Sequence, residues 1–463
     1  MGIADDITYF ALVVFTIVFG KVFKSYNGNQ KLLGLFLGLL ISLLVSGSHV
    51  YHVIVIILFN AFLITFLRRS CHIWSTTFTF TYLVFFRCST YFGLEKSPSF
   101  TNAIMMMLTL KMVGVAFEVH DTNQRRRAIV KASEQTNKEE MTKLELESKY
   151  WDVNPTFLDV IFYGFCYIGI LTGPYYKFRV WEDAIERKKY ANIPTLKSAV
   201  HRVSIVPLFL ILFLILSYFF PLSYVSKEEF FTERSVLFRI WYLFPLFSTF
   251  RMRLYSAFIM SEAACISAGL GAYPQQSQPK YGAGPTNLEI MENLDKEDAI
   301  SEEKDLCFKT IQNVDAWLGE VTNTVRASMR VWNTTVQYWL AINVHRRFPI
   351  KPLRILVTMF VSAFWHGLYP GYYLALCSAA VAVFCEDVFI KKLKSRYPRI
   401  VFWYGLFYKH MFFSYFGAAF LLLEIGATVE YWKSIYFAGH IFIVFTFLVG
   451  YIWPRDHNCP KSE

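Results

Sequence analysis

The run from Ile355 to Cys385 contains no Asp, Glu, Lys or Arg, and it constrains the fold more than any other stretch of the chain. As a single helix it would measure roughly 46 Å, which is too long for one straight crossing of a bilayer core of about 30 Å and too short for two. Gly367, Pro370 and Gly371 lie near its middle, and glycine and proline commonly end helices. The run therefore predicts a helix that breaks at these residues.

One titratable side chain, His366, comes directly before the predicted break. A helix that begins at the membrane interface near Lys351 and Arg354 climbs about 17 Å by Trp365, so the imidazole is expected near the middle of the membrane. Two interpretations are open from the run alone, a histidine hydrogen-bonded across helices and a catalytic one. Ser362, one turn earlier on the same helical face and within reach of a ring nitrogen, favours the catalytic interpretation.

A second uncharged run, from Val331 to Val344, contains Asn333. Its length of about 21 Å is too short to cross a bilayer, so it is expected to enter the membrane part way or to lie along its surface. As part of a helix it would place polar side chains along one face, and such a face is expected to line a water-filled cavity. The residues of this polar stripe are Arg326, Arg330, Asn333 and Gln337. Asn333-Thr-Thr also fits an N-glycosylation acceptor, which would have to stand clear on a lumenal surface.

The composition indicates a polytopic membrane protein, since 55% of the 463 residues are hydrophobic and only 17% are charged. We predict an all-α fold of roughly 11 transmembrane helices, with amphipathic and broken or re-entrant helices, around a central catalytic chamber. The whole of 1–463 is expected to form one membrane-embedded domain. Two segments, 119–155 and 272–305, are predicted to be polar loops, the first of them alternatively a surface helix.

The net charge of +11 is spread over loops. It indicates an anionic partner, either lipid headgroups or a phosphate-bearing substrate, and not a nucleic acid, although a general excess of Lys and Arg in cytoplasmic loops explains most of it. Arg251 and Arg253 interrupt an apolar stretch, where they either anchor the helix at the interface or grip phosphate. The eight cysteines lie apart without metal-ligand spacing, so no metal is predicted.

The polar groups of the two runs suit proton transfer. A histidine with an unperturbed pKa near 6.5 can take a proton from a hydroxyl, and an asparagine can orient that hydroxyl or donate to a carbonyl oxygen that gains charge. The chain has no G-x-S-x-G, P-loop or H-E-x-x-H motif, so it lacks the sequence motifs that are typical of serine hydrolases, NTPases and zinc proteases.

The two runs resemble the membrane-bound O-acyltransferases through W-N-x-T-V-Q-x-W-L followed by S-A-x-W-H-G-x-x-P-G-Y-Y. Five further segments resemble the lysophosphatidylinositol acyltransferase branch of that family: F-T-N-A-I-M-M-M-L-T-L-K from Phe100, Y-I-G-I-L-T-G-P-Y-Y-K-F-R from Tyr167, F-R-M-R-L-Y from Phe250, G-L-G-A-Y-P from Gly269 and Y-W-K-S-I-Y-F from Tyr431. The resemblance is weakest in His120 to Pro155 and Pro274 to Lys304, where loops can vary.

The resemblance implies transfer of a polyunsaturated acyl chain, typically arachidonoyl, from acyl-CoA to the sn-2 hydroxyl of lysophosphatidylinositol. His366 would be the catalytic histidine and Asn333 its partner. Acyl-CoA would act as a co-substrate without any cofactor, in the membrane of the endoplasmic reticulum. The candidate substrate-binding residues, including basic ones for the phosphates of acyl-CoA, are Ser362, Gln337, Trp332, Trp365, Arg330, Lys177, Arg179, Arg251 and Arg253.

Two alternatives stay open from the sequence. An intramembrane histidine beside a broken helix also occurs in transporters and proton-coupled carriers. An acyltransferase of this kind could instead act on another lysophospholipid or on a protein hydroxyl. The sequence points to no protein partner.

Overall fold

The structure is a computed structural model that describes residues 3–135, 137–186, 190, 192–297, 300 and 302–454. Nearly all regular structure in these ranges is helical, so the predicted all-α class is confirmed. Within them, one small antiparallel sheet pairs β1 (Tyr273–Pro274) with β2 (Leu306–Cys307).

The helices follow in chain order, with short turns between some and longer connections between others. The first eleven are α1 (Ile3–Ser25), α2 (Gln30–Ser46), α3 (Val50–Phe66), α4 (Cys71–Arg87), α5 (Ser99–Glu134), α6 (Lys138–Trp151), α7 (Phe157–Phe165), α8 (Phe178–Ile185), α9 (Leu196–Val203), α10 (Val206–Phe219) and α11 (Glu228–Thr232). The next ten are α12 (Val236–Ser267), α13 (Leu288–Glu297), α14 (Ala316–Val321), α15 (Val325–Arg330), α16 (Thr334–Leu340), α17 (Arg354–His366), α18 (Pro370–Leu393), α19 (Pro398–Leu422), α20 (Ile425–Ser434) and α21 (Ala438–Ile452). A π-helix, Ala341–His345, extends α16.

Five helical segments in the described ranges are long and apolar enough to cross a membrane, and a sixth counts if α20 and α21, bent by 69°, form one span. The predicted count of roughly 11 spans is not confirmed, because several apolar helices are shorter than the roughly 20 residues that a crossing needs. Among these short helices are α4 with 17 residues and α17 with 13. A 3₁₀ turn, Gly47–His49, joins α2 to α3, and together they count as one segment of 37 residues.

The chain divides into two compact units. Unit 1 comprises Met1–Ile205, Ala257–Asn313 and Thr334–Trp339. Unit 2 comprises Val206–Ser256, Val314–Asn333 and Leu340–Glu463. The single domain expected from the sequence stays a prediction.

The core of unit 1 is built around α5, which packs against α2, α3, α4, α6, α7 and α8. In the most apolar stretch of α5, which is 18 residues long, 72% of the residues are buried. The segment predicted as a polar loop at 119–155 is largely helical, because α5 continues to Glu134 and α6 follows after the Asn137 side chain caps its first turn. The second predicted polar loop, 272–305, contains α13 as well as β1.

The core of unit 2 is built around α18, which packs against α15, α17, α19 and α21. Large aromatic side chains fill much of this core, among them Tyr242, Phe230, Tyr408, Tyr415, Tyr431 and Trp432. The segment Leu196–Ser226, which includes α10, differs from this core, because only 6% of the 18 residues in its most apolar stretch are buried. Such a helix leaves its apolar surface to the lipid.

Candidate functional site

His366 is the last residue of α17, at the break predicted from the sequence. Its imidazole is partly buried and is surrounded by aromatic rings. The Trp365 and Phe420 rings meet it edge to face, with centroids at 4.8 and 5.0 Å, and the Tyr372 ring lies 5.9 Å away. Ser362 is buried one turn earlier on the same helix. Aromatic packing therefore helps to place the imidazole, which is not fully enclosed.

Two glycines allow this packing. A Cβ added to Gly371 would lie 2.1 Å from the carbonyl oxygen of Ala419, and the backbone N–H of Gly371 donates to the carbonyl of Leu423 at 2.8 Å. A Cβ on Gly367 would lie 2.5 Å from the Tyr372 ring. The close approach of α18 to the end of α19 therefore brings Tyr372 and Phe420 to the imidazole.

Asn333 occupies a break between α15 and α16, where the sequence predicted one continuous helix. Its φ of 48° is in the left-handed region, which non-glycine residues rarely adopt but asparagine tolerates better than most. Its side-chain Oδ1 is buried and accepts no hydrogen bond from the described residues. The predicted polar stripe from Arg326 to Gln337 is therefore wrong, because Arg326 and Arg330 belong to α15, Gln337 belongs to α16, and Asn333 lies between the two helices.

The residues after Asn333 are anchored within unit 1. The backbone N–H of Thr334 donates to the carbonyl of Asn313 at 2.9 Å, and the Thr335 hydroxyl donates to the Asn313 side chain at 2.7 Å. The backbone N–H of Asn313 in turn donates to the buried carboxylate of Glu262 at 2.7 Å. These bonds fix where α16 begins, and a fully buried, hydrogen-bonded Thr335 is incompatible with a glycosylation acceptor at Asn333.

Arg179 is a structural residue in unit 1. Its side chain is 5% exposed, its Nε donates to Asp183 at 3.0 Å, and its other nitrogens donate to the carbonyls of Asp152 and Lys149 at 2.9 and 3.0 Å. A guanidinium whose donors are used in this way offers little to a phosphate group. Its contacts therefore do not support the predicted phosphate role.

Lys177 is less buried than Arg179. It is partly buried and donates to the carbonyl of Ala283 at 3.3 Å, while its ammonium lies 5.3 Å from the centre of the Tyr338 ring. Burial alone would lower the pKa of Lys177, but the nearby Tyr338 and Glu118 side chains outweigh burial and raise it above the usual value. The side chain is thus cationic at neutral pH. Gln337, the residue before Tyr338, is partly buried on α16.

Arg251 and Arg253 lie on α12, which runs without interruption through Pro245 and both arginines. Arg251 is paired with Glu320 at 3.2 Å and donates to the Ser248 hydroxyl at 2.9 Å, whereas Arg253 is exposed. Arg330 is also exposed, at the end of α15. The ring of Trp332 packs edge to face on Tyr255, with centroids 5.4 Å apart.

Three residues near Arg251 were missed from the sequence: Tyr255, Glu320 and Lys409. Lys409 is 1% exposed, and its ammonium donates to the carbonyls of Gly319 and Glu320 at 3.1 and 2.7 Å. A lone lysine inside the apolar stretch Val401–Leu423 was the available signal, because a charge inside a membrane helix requires a partner. A lone glutamate in M-S-E-A-A-C would have pointed to Glu262 in the same way.

Two groups in unit 2 are of the kinds that acid–base chemistry on a hydroxyl uses. Unit 2 holds an imidazole at the end of an apolar helix and, in a break between two short helices, an amide whose buried oxygen accepts no hydrogen bond from the described residues. These are the groups that general-base catalysis and orientation of a reacting group need.

Known proteins resemble the chain over nearly its whole length. A family model described as the membrane-bound O-acyltransferase family matches residues 86–423. A membrane-bound acylglycerophosphatidylinositol O-acyltransferase of Xenopus laevis is 34% identical, over 99% of this chain and 97% of the relative. Proteins of the same name are 36% identical in Danio rerio, over 99% and 96%, and 35% identical in Homo sapiens, over 94% and 91%.

The family match includes both candidate catalytic residues and the helices from α12 to α19. The relatives extend the similarity to the first and last helices of the chain. The chain is a multi-pass membrane enzyme that belongs to the membrane-bound O-acyltransferase family.

Proposed function

We propose that the protein transfers an acyl chain from acyl-CoA to the sn-2 hydroxyl of lysophosphatidylinositol. The observation that carries this proposal is the similarity, over 94 to 99% of the chain, to enzymes named acylglycerophosphatidylinositol O-acyltransferases. The preferred chain in this proposal is polyunsaturated, arachidonoyl in the first instance, and the enzyme resides in the endoplasmic reticulum membrane. Membership of an acyltransferase family favours this chemistry over the carrier that the sequence alone left open.

In the proposed reaction His366 acts as the general base. Its imidazole takes the proton of the sn-2 hydroxyl while the hydroxyl oxygen attacks the thioester carbonyl. The new ester C–O bond forms, the C–S bond breaks, and the CoA thiolate takes the proton back from the imidazolium. Because the thioester is already activated, no protein nucleophile is required, and orientation of the two substrates supplies much of the rate.

Asn333 stabilises and orients in this mechanism. Its amide N–H group donates to the thioester oxygen as that oxygen gains charge, and its buried Oδ1 accepts from an N–H or O–H group that a substrate brings. Filling that acceptor removes the cost of a buried polar atom without a partner, which favours the substrate-bound state. Trp332, Trp365, Ser362, Gln337 and Arg330 stay proposed substrate contacts.

Among the predicted phosphate contacts, Arg253 and Lys177 keep that role in the proposal. Arg253 is exposed, and Lys177 is cationic and partly exposed. Replacing a residue that binds phosphate should raise the KM for acyl-CoA and leave the KM for the lysolipid unchanged.

The proposal is tested with microsomes from cells that express the chain and lack their own lysophospholipid acyltransferases. Labelled acyl-CoA donors of different chain length and unsaturation are crossed with lysophosphatidylinositol, lysophosphatidylcholine, lysophosphatidylserine and lysophosphatidylethanolamine. Phosphatidylinositol should form faster than any other product, and fastest with arachidonoyl-CoA. Faster acylation of another lysolipid, or no product with any acceptor, would contradict the proposal.

A further inference from the structure

The short helix α14 precedes α15 and the Asn333 break, and polar contacts hold it at both ends. At its start the Asp315 side chain accepts from the backbone N–H of Leu318 at 3.0 Å. At its end the Lys409 ammonium donates to the carbonyls of Gly319 and Glu320. A buried ammonium keeps its hydrogen bonds because losing them would leave an unpaired charge in the core, so α14 is fixed against α19.

The carboxylate of Glu320, carried by α14, joins two side chains of α12. The Tyr255 hydroxyl donates to its Oε1 at 2.8 Å, and the Arg251 guanidinium lies 3.2 Å from its Oε2. Tyr255 is 1% exposed, so its hydroxyl depends on this single acceptor in place of water. The carboxylate therefore sets the position and tilt of the Tyr255 ring.

The Tyr255 ring, in turn, supports the residue before Asn333. The Trp332 ring packs edge to face on it, and the Trp332 backbone pairs with Val314 in an isolated antiparallel bridge. The backbone N–H of Asp315 donates to the carbonyl of Val331 at 2.9 Å. Contacts from α12 and from the start of α14 therefore hold the chain on the N-terminal side of Asn333 while it turns into the left-handed region.

We propose that Glu320 and Tyr255 are positioning residues for Asn333, acting through the Trp332 ring. The inference rests on the proposed function, in which the Asn333 amide contacts the reacting groups. A left-handed asparagine has no helical hydrogen bond to hold it, so the direction of its amide follows from the residues on either side. Arg251 serves the same end by balancing the Glu320 charge, which is a different role from binding a phosphate group.

Rate is sensitive to such positioning. Displacing a reacting or orienting group by a fraction of an ångström lowers turnover, while substrate binding, which draws on many other contacts, changes little. A residue that only stabilises the fold behaves differently, because its loss reduces the amount of folded enzyme and leaves kcat per folded molecule unchanged.

The test removes one oxygen atom. Tyr255→Phe keeps the ring and deletes the donor to Glu320, and we expect kcat to fall about tenfold with both KM values unchanged. Tyr431→Phe is the matched control, since Tyr431 is also 1% exposed in unit 2 and its hydroxyl donates to the Arg239 carbonyl at 2.8 Å. The control should lower kcat less than twofold. Rates are normalised to folded enzyme measured by size-exclusion chromatography.

A double variant separates the inference from the proposed function. Asn333→Gly removes the amide and suits the left-handed backbone. In that background Tyr255→Phe should cost less than twofold in kcat, because the group that it positions is gone. An unchanged tenfold loss there, or a loss of folded enzyme alone in the single variant, would overturn the inference. If the parent chain does not acylate lysophosphatidylinositol, the proposed function fails instead.

Discussion

Two polar groups in unit 2 are positioned by different physical means. His366 ends a helix of 13 residues, and the rings of Trp365, Tyr372 and Phe420 surround it. Asn333 lies between two short helices and is supported by hydrogen bonds and charges that run back to Lys409. The aromatic packing around His366 depends on shape, whereas the support of Asn333 depends on hydrogen-bond donors and acceptors in a region of low dielectric.

The difference predicts different responses to substitution. Changes of volume should affect the histidine more, and changes of a single donor or acceptor should affect the asparagine more. A base that must receive and release a proton benefits from a ring that is held in one orientation. A group that orients a substrate benefits from a fixed backbone.

The largest effect is expected from His366→Ala, because it removes the proposed base. Transfer should fall by about 10²- to 10⁴-fold. The ring is only partly buried at a helix end, so the amount of folded protein should stay near that of the parent. Labelled product per folded enzyme is the measurement, and activity above a tenth of the parent would exclude the base role.

Asn333→Gly should come next, with a loss of about 10²-fold in kcat, comparable to removal of one donor from an oxyanion hole. Glycine accepts the φ of 48° without strain, so the loss reports on the amide and not on the backbone. Asn333→Ala adds backbone strain and should also reduce folded protein. If the glycine variant keeps its activity, the amide has no catalytic role and the contrast with His366 disappears.

Gly371→Ala should act on stability first. The new methyl group would meet the Ala419 carbonyl at 2.1 Å, and relieving that overlap costs about 1–3 kcal/mol. Gly426→Ala is the matched control, because Gly426 is also the second residue of its helix and a Cβ there meets nothing within 4 Å. Thermal unfolding in detergent measures both variants. Equal melting temperatures would show that α18 and α19 can separate without cost.

The smallest effect is expected from Phe420→Leu, which keeps an apolar side chain but removes the ring 5.0 Å from the imidazole. A looser histidine should lower kcat severalfold, in line with an aromatic contact worth about 0.5–1.5 kcal/mol. Phe402→Leu, at an exposed position of α19, serves as the control. If the two variants behave alike, the rings around His366 only fill space.

The local sequence was enough to predict the helix break after His366, but not the break at Asn333. Three helix-breaking residues follow His366 within five positions, so the end of α17 could be predicted from composition alone. Nothing in W-N-T-T-V-Q breaks a helix by itself. The break at Asn333 arises from bonds to Asn313 and a bridge to Val314, which lie about twenty residues earlier and become neighbours only in the folded chain.

The same limit applies to the basic residues. The sequence placed Arg179 at the membrane interface and Arg251 within an apolar stretch, but it could not show that carboxylates already neutralise them. A phosphate contact and a buried ion pair look alike in a sequence, because the partner of an arginine is decided by tertiary structure.

The order of synthesis matters for Lys409. Gly319 and Glu320 precede it by about ninety residues, so both carbonyl acceptors have left the ribosome before α19 is made. The helix that carries this cation can therefore find its acceptors already in place as it enters the bilayer. A circularly permuted chain that delivers α19 ahead of α14 would have to insert the ammonium with no ligand waiting for it.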